Sequence, residues 1–169
     1  MCGKTDHEIL EFVDTNDRVL GTAIRREIHE SGLMHRAVHV FLYNGRGEIY
    51  VQRRSSIKDR FPDRLDSSAA GHVEPGEPYE AAAVRELEEE LGIVTEVEEI
   101  LRTGPSEVTD NEHVVLYRAR SGQAPVPDPD EVQWGSFMTP ESLTVLMDSQ
   151  PDDFVPSFIH LWHLVQQTK

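Results

Sequence analysis

The segment Gly71–Ile93, GHVEPGEPYEAAAVRELEEELGI, constrains this chain more than any other. It begins as a run of small residues, turns at Pro75-Gly76, and continues as a helical pattern from Pro78 to Leu91 that Gly92 can close. At about 100° per residue, Val84, Leu87 and Leu91 share one side, bordered by Ala83, and that side must face a core. Glu86, Glu89 and Glu90 fall at offsets of zero, three and four, so they form one carboxylate group, which this pattern sets off the core stripe. Glu88 falls at the opposite border and reads as solvated. Arg85 is the only cation in the helix. Carboxylates this close repel, and a divalent cation is the simplest partner that makes them a stable group. The bland alternative is a solvated acidic face relieved by Arg85, which is what a bare glutamate run usually is. The preceding strand and tight turn, and Glu77 at the helix entry, favour the metal.

Around this segment the chain reads as strands with interspersed helices. Glu8–Val13 and Val19–Ile24 flank the turn residues Thr15-Asn16-Asp17 and predict an N-terminal β-hairpin over about residues 8–24. His35–Tyr43 and Glu48–Gln52 predict a second hairpin around Asn44-Gly45. Leu65–Val73 reads as a strand of small residues leading into the turn. Val97–Leu101, His113–Arg118 and Val132–Met138 are further strands; Pro140–Met147 and a C-terminal stretch over about 157–167 read as helices. Ser121–Asp130, with three prolines, reads as a surface loop. The alternation predicts an α/β sandwich with a mixed sheet.

The 169 residues suit one domain over 1–169 with a sizeable core. Sixteen Lys and Arg against 31 Asp and Glu give a formal charge of −15, which argues against a nucleic-acid polymer or an anionic membrane as the main partner. A small phosphorylated substrate stays compatible, because bound metal and a local basic cluster reverse the field where it matters. No apolar run approaches the roughly 20 residues of a membrane span, and the start MCGKTDHE is too polar for a secretory signal. Cys2 is the only cysteine, so no disulfide framework is expected, and a reducing cytoplasm is the default location.

The segment 71–93 resembles the Nudix box, G-x5-E-x7-R-E-U-x-E-E-x-G-U with U aliphatic. Gly71, Glu77, Arg85, Glu86, Leu87, Glu89, Glu90, Gly92 and Ile93 match it without an exception. The resemblance implies the Nudix α/β/α sandwich with the box helix on one face of the sheet. It implies a metal-dependent hydrolase that cleaves a diphosphate linkage in a nucleoside diphosphate derivative or related organic pyrophosphate. Glu86, Glu89 and Glu90 match the ligands of Mg²⁺ or Mn²⁺, with the Gly71 carbonyl as a further ligand. The glutamate matching Glu86 or Glu89 serves in some members as the base for water. Glu77 and Arg85 match groups that hold the loop and the helix carboxylates in place. A small-molecule diphosphate is the implied partner, and a homodimer is among the assemblies the family allows.

Beyond the box, the chain resembles isopentenyl-diphosphate isomerases, which share the fold. His29 and His35, the segment Arg54-Ser55-Ser56-Ile57-Lys58-Asp59-Arg60-Phe61-Pro62, His72, and Asp110-Asn111-Glu112 correspond to that branch. Ala70 stands where the isomerases carry their catalytic cysteine, and the box is intact where theirs is degraded, so a hydrolase is the stronger expectation. Isomerisation and a non-catalytic nucleotide-binding module are the alternatives. This branch implies a second metal site at His29, His35, His72, Asp110 and Glu112, suited to Mn²⁺ or Zn²⁺. The alternative is that these residues only line the pocket, without isomerase chemistry. Glu112 and Asp110 are also candidates for an extra carboxylate near the attacking water, ahead of Glu107 and Glu131. Arg53, Arg54, Lys58, Arg60 and Arg64 form the dense basic stretch of an acidic chain; Arg54 and Lys58 are the candidate phosphate clamp, against the alternative of a solvated surface. Trp134 and Phe137 read as core packing rather than base-stacking groups, and Phe158 and Trp162 as packing.

Overall fold

A computed structural model describes residues 7–168. Cys2 lies outside them. The elements run β1 (Ile9–Val13), β2 (Val19–Ile24), α1 (Arg25–Ser31), β3 (His35–Tyr43), β4 (Ile49–Arg54), β5 (Leu65–Asp66), β6 (Ala69–His72), α2 (Tyr79–Leu91), β7 (Val97–Thr103), β8 (Glu112–Arg120), β9 (Val132–Met138), α3 (Pro140–Ser149), a 3-10 turn at Pro151–Asp153, and α4 (Pro156–Gln167). The strands form one mixed sheet organised on β3, a run rich in β-branched and aromatic residues. β3 pairs parallel with β8 along its whole length, from His35↔Glu112 to Tyr43↔Arg120. It pairs antiparallel with β6, where Val38↔Gly71 and His39↔Ala70 are opposite. β4 joins β9 and β5 antiparallel, and β1 joins β2.

The period-2 alternation sorts β3 and β8 into two cores. Val38, Val40 and Leu42 with Val115, Tyr117 and Ala119 pack beneath Ala82, Ala83, Leu87 and Leu91 of α2. Ala37 and Phe41 with Val114 and Leu116 pack beneath Leu143 and Met147 of α3 and Phe158, Leu161 and Trp162 of α4. The architecture is therefore an α/β/α sandwich with α2 on one face. Trp162, fully buried, donates from Nε1 to Thr144 Oγ1 at 3.0 Å and so ties α4 to α3.

Several expectations need correction. Pro78 precedes α2 in extended conformation (ψ 145°) instead of forming its first residue, while Gly92 closes the helix in the left-handed region (φ 65°). Val84 is only half-buried, and Ala82 takes its place in the core. The expected strand Leu65–Val73 is two short strands. Ser67 and Ser68 break it, because Ser68 Oγ is drawn off the ladder to accept from Leu42 N–H (2.8 Å) and donate to Tyr50 O (2.6 Å). Helix α1 was not expected. Its sequence RREIHES offers a single buried apolar side chain, Ile28, and only Gly32 (φ 62°) marks its end. Trp134 is 45% exposed rather than in the core; it lies near the Arg53 guanidinium, while Phe137 packs edge-on against Tyr50. No helix among the described residues is long and apolar enough to cross a membrane.

Candidate active site

β6, the Pro75-Gly76 turn and α2 bring the acidic helix face against the open end of β3. Gly71 lies beneath Glu86 so closely that a Cβ there would sit 2.2 Å from the Glu86 carboxyl carbon. Glycine lets the Glu86 carboxylate lie directly on the strand backbone. Arg85 locks the unit. It donates from Nε and Nη2 to the two oxygens of Glu77 (2.9 and 3.0 Å), from Nη2 to the His72 carbonyl (2.9 Å), and from Nη1 to Glu86 (2.7 Å). Glu77 in turn accepts from the Glu74 N–H at 2.9 Å. One guanidinium thus ties the strand end, the loop and the helix together.

Glu90 is not set off the core as its helical position suggested. It is 4% exposed, because Gln52 of β4 donates to its Oε2 at 2.5 Å and the Ala70 N–H approaches its Oε1 at 3.5 Å. Burial first, and the neighbouring Glu86 charge second, drive its pKa well above the usual carboxylate range. Burial likewise raises Glu86 to about 7 despite Arg85 beside it. Glu89 is the open member of the trio, its side chain 58% exposed and 3.4 Å from Arg85. Glu88 faces solvent.

These groups line a cavity of about 580 Å³. Its wall also carries His29, His72, Asp110, Glu112, Arg54, Lys58, Arg60 and Glu131. Of the other sequence candidates, Glu77 reaches the wall through Arg85, and His35 through Glu112; Glu107 does not line it. His29, His35 and His72 offer nitrogens within 4.8 Å of one another. Glu112 Oε1 lies 3.5 Å from both His35 Nε2 and His72 Nε2, and Asp110 lies 3.0 Å from His29 Nδ1. His35 Nδ1 meets the Leu33 carbonyl at 3.0 Å, which orients the ring so that Nε2 faces Glu112. Burial opposes charge on His72, but Glu112 and Glu8 prevail and push its pKa up to about 9. Burial would raise Glu112, yet the two imidazoles hold it far below the usual range.

The basic stretch divides. Arg53 turns towards Trp134, and Arg64 donates to the Phe154 carbonyl. Arg54 lines the cavity, but its guanidinium is engaged by Asp66 (3.0 Å) and twice by the Arg60 carbonyl (3.3 and 3.2 Å). Lys58 is paired with Glu131, and Arg60 with Asp110 at 2.7 Å.

The cavity also collects residues the sequence reading passed over: Glu8, Arg25, His39, Asp66 and Ser157. His39 had a signal, since it shares one strand face with His35 at a spacing of four. The others had none, being single polar residues supplied by separate elements.

The donor set fits a hard divalent cation. Glu86, Glu89 and Glu90 share one cavity wall with Gly71; Glu90 is buried, Glu86 is largely covered, and the Glu86 charge helps to raise the pKa of Glu90.

Comparison with known proteins agrees. The NUDIX domain model matches residues 33–158. A Nudix hydrolase of Deinococcus radiodurans is 33% identical over 144 residues, 83% of this chain and 84% of that one. An isopentenyl-diphosphate delta-isomerase of Streptomyces griseus is 34% identical over 149 residues, 83% of this chain and 76% of the relative. A Nudix hydrolase of Pseudomonas aeruginosa is 47% identical over 89 residues, so the chain spans about half the length of that relative, 53%. The crystal structure of DR0079 from Deinococcus radiodurans superposes with a TM-score of 0.75 at 32% identity, over 84% of this chain and 90% of that one. The chain belongs to the Nudix family of hydrolases, in a branch that shares features with isopentenyl-diphosphate isomerases.

Proposed function

We propose that this chain is a pyrophosphohydrolase that cleaves the diphosphate linkage of a nucleoside diphosphate derivative or related organic pyrophosphate, with Mg²⁺ or Mn²⁺ held by Glu86, Glu89, Glu90 and the Gly71 carbonyl. The observation that carries this reading is the set of Glu86, Glu89 and Glu90 on one cavity wall, with Glu90 buried and Glu86 largely covered. Adjacent carboxylates shielded from water destabilise a fold unless protonation or a cation compensates them, and Arg85 reaches Glu86 but has no bond to Glu90. Bound there, a divalent cation would stabilise charge on the diphosphate oxygens and lower the pKa of an attacking water.

The chain's own groups supply the rest. Arg85 and Glu77 fix Glu86 over Gly71. Glu89, the most exposed of the trio, is the carboxylate best placed to take a proton; Glu86 is the alternative, its pKa of about 7 suiting a base near neutrality. Glu112 suits that role less, because the imidazoles keep it ionised and weakly basic. Lys58 can exchange Glu131 for a substrate phosphate, with Arg60 beside it. Arg54, engaged by Asp66 and the Arg60 carbonyl, serves the phosphates by fixing that loop.

A second cation site at His29, His35 and His72, completed by Glu112 and Asp110, is favoured by the clustered nitrogens and suits Mn²⁺ or Zn²⁺. Isomerisation is the weaker reading, since Ala70 offers no thiol to move a proton at carbon. A non-catalytic binding module has no need of this carboxylate group.

The test is a Mg²⁺ and Mn²⁺ screen of nucleoside di- and triphosphates, nucleotide sugars, dinucleoside polyphosphates and NADH, reading released phosphate. Glu89→Gln is expected to lower turnover by roughly 10²-fold. Activity that survives this change would place the catalytic centre elsewhere.

A further inference from the structure

The loop that leads into α2 is held twice. Arg85 and Glu77 grip it from the cavity. A second set of bonds comes from β3 and the β1–β2 hairpin, through residues that do not line the cavity. Glu11 of β1 accepts from the Gly76 N–H through Oε1 at 3.1 Å, and its Oε2 accepts from Arg36 Nη1 at 3.1 Å. Arg36 of β3 donates from Nε to Asp17 Oδ1 (2.6 Å) and from Nη2 to the Asp17 carbonyl (2.7 Å). Asp17, in the hairpin turn, takes the left-handed region (φ 61°), and its Oδ2 accepts from the Tyr79 hydroxyl at 3.0 Å. The Arg36 carbonyl accepts from the Val73 N–H at 3.1 Å.

Arg36 is thus tied to three points of the loop: its start at Val73, its turn at Gly76, and Tyr79, the first residue of α2. The Tyr79 ring also lies 5.7 Å from the Arg36 guanidinium and 5.2 Å from that of Arg102. The side chains of Arg36, Glu11 and Asp17 are mostly covered, so these charge-assisted bonds are only partly screened. Ala82, Ala83, Leu87 and Leu91 already seat α2 on the sheet. Seating the helix does not need the second set of bonds; fixing the loop does. Gly76 precedes Glu77, the carboxylate that Arg85 grips while it reaches Glu86. A turn free to shift would carry Glu77 with it, and Arg85 and Glu86 would follow. None of Glu11, Asp17, Arg36 and Tyr79 is a position that the box fixes.

We propose that Glu11, Asp17 and Arg36 are positioning residues, a clamp from the N-terminal hairpin and β3 that holds the loop from Val73 to Tyr79 in the place the Glu86 carboxylate needs to bind a cation. This rests on the reading above that Glu86 is a metal ligand.

Two measurements on the full chain test it. The Gly76 N–H is exposed and Glu11 is its acceptor, so its hydrogen exchange in the metal-free chain reads the clamp directly. Binding of Mn²⁺ alone, followed by the electron paramagnetic resonance of the free ion, reads the consequence at the carboxylates, and Glu86→Gln marks the binding that belongs to them. Glu11→Ala is expected to speed Gly76 exchange about 3- to 10-fold, the worth of one net hydrogen bond, and to weaken that Mn²⁺ binding by about the same factor. Glu11→Gln keeps an oxygen for the Gly76 N–H and should restore both to within about twofold of wild type. Tyr79→Phe removes a single hydroxyl at the far end of the loop, with little risk to the fold, and should weaken Mn²⁺ about 2- to 5-fold. A contact that only stabilises the fold lowers the melting temperature without moving the Mn²⁺ affinity of the folded chain. Unchanged Mn²⁺ affinity in either Glu11→Ala or Tyr79→Phe therefore overturns the clamp alone, whatever their melting temperatures. Failure of wild type to bind Mn²⁺, or Glu86→Gln binding it as wild type does, sinks the metal reading, and the clamp with it.

Discussion

Gly71→Ala separates docking of the acidic helix from folding of the chain. The added Cβ would lie 2.2 Å from Glu86 Cδ and Oε1 and 2.5 Å from Oε2. Restoring ordinary contact requires the carboxylate to retreat by roughly 1 Å. The clash is with the tip of a flexible side chain, and Gly71 is not among the residues of positive φ, so the backbone tolerates alanine. The folding cost is therefore expected at the low end of overpacking, about 1 kcal/mol, or about 2–4 °C in melting temperature for a chain of this size. The functional cost is larger. The retreat breaks the 2.7 Å Arg85–Glu86 bond and misplaces a proposed metal ligand, and a misplacement of about 1 Å costs on the order of 10²-fold in turnover. Thermal unfolding and Mg²⁺-dependent phosphate release on the same samples read the two costs separately. Adding Glu86→Asp, one methylene shorter, should recover most of the stability but little of the activity. Turnover of Gly71→Ala within twofold of wild type would refute the assignment of Glu86 to the metal.

Two further outcomes follow from the same geometry. Without metal, stability should fall as pH rises from about 5 to 9. The raised pKa of Glu86 removes stability between 4.5 and about 7, and that of His72 between 6.5 and about 9; the depressed Glu112 removes it only as pH falls below 4.5. Urea midpoints across this range measure it, and a metal-free midpoint that climbs towards pH 9 contradicts the His72–Glu112 arrangement. Arg85→Lys keeps the charge but cannot fork across Glu77 while reaching Glu86 and the His72 carbonyl. Metal-dependent activity should drop by roughly 10- to 100-fold, and a Lys variant as active as wild type would show that the fork is dispensable.

What the sequence could disclose of this site depended on distance along the chain. The α2 face and its closing glycine were readable because a dense 3.6-residue pattern needs no information from elsewhere, and the carboxylate trio came with it. The burial of Glu90 was not, because it is made by Gln52, 38 residues away on β4. The basic stretch was visible as a composition, yet its division between cavity and outer surface is fixed by partners such as Asp66 and Phe154, which carry no local signal. α1 escaped for the same reason: Arg25 is buried by tertiary contact with Asp59, at 2.6 Å, and not by amphipathic pattern. His39 shows where the boundary lies. Its strand parity with His35 was legible, but that parity names only a face. Whether the face closes over a core or opens into a cavity is decided by elements far along the chain, among them the start of α4, whose Ser157 lines the same cavity. The proposed chemistry sits in the readable segment; the rest of the cavity wall is assembled from single residues that only the folded chain brings together.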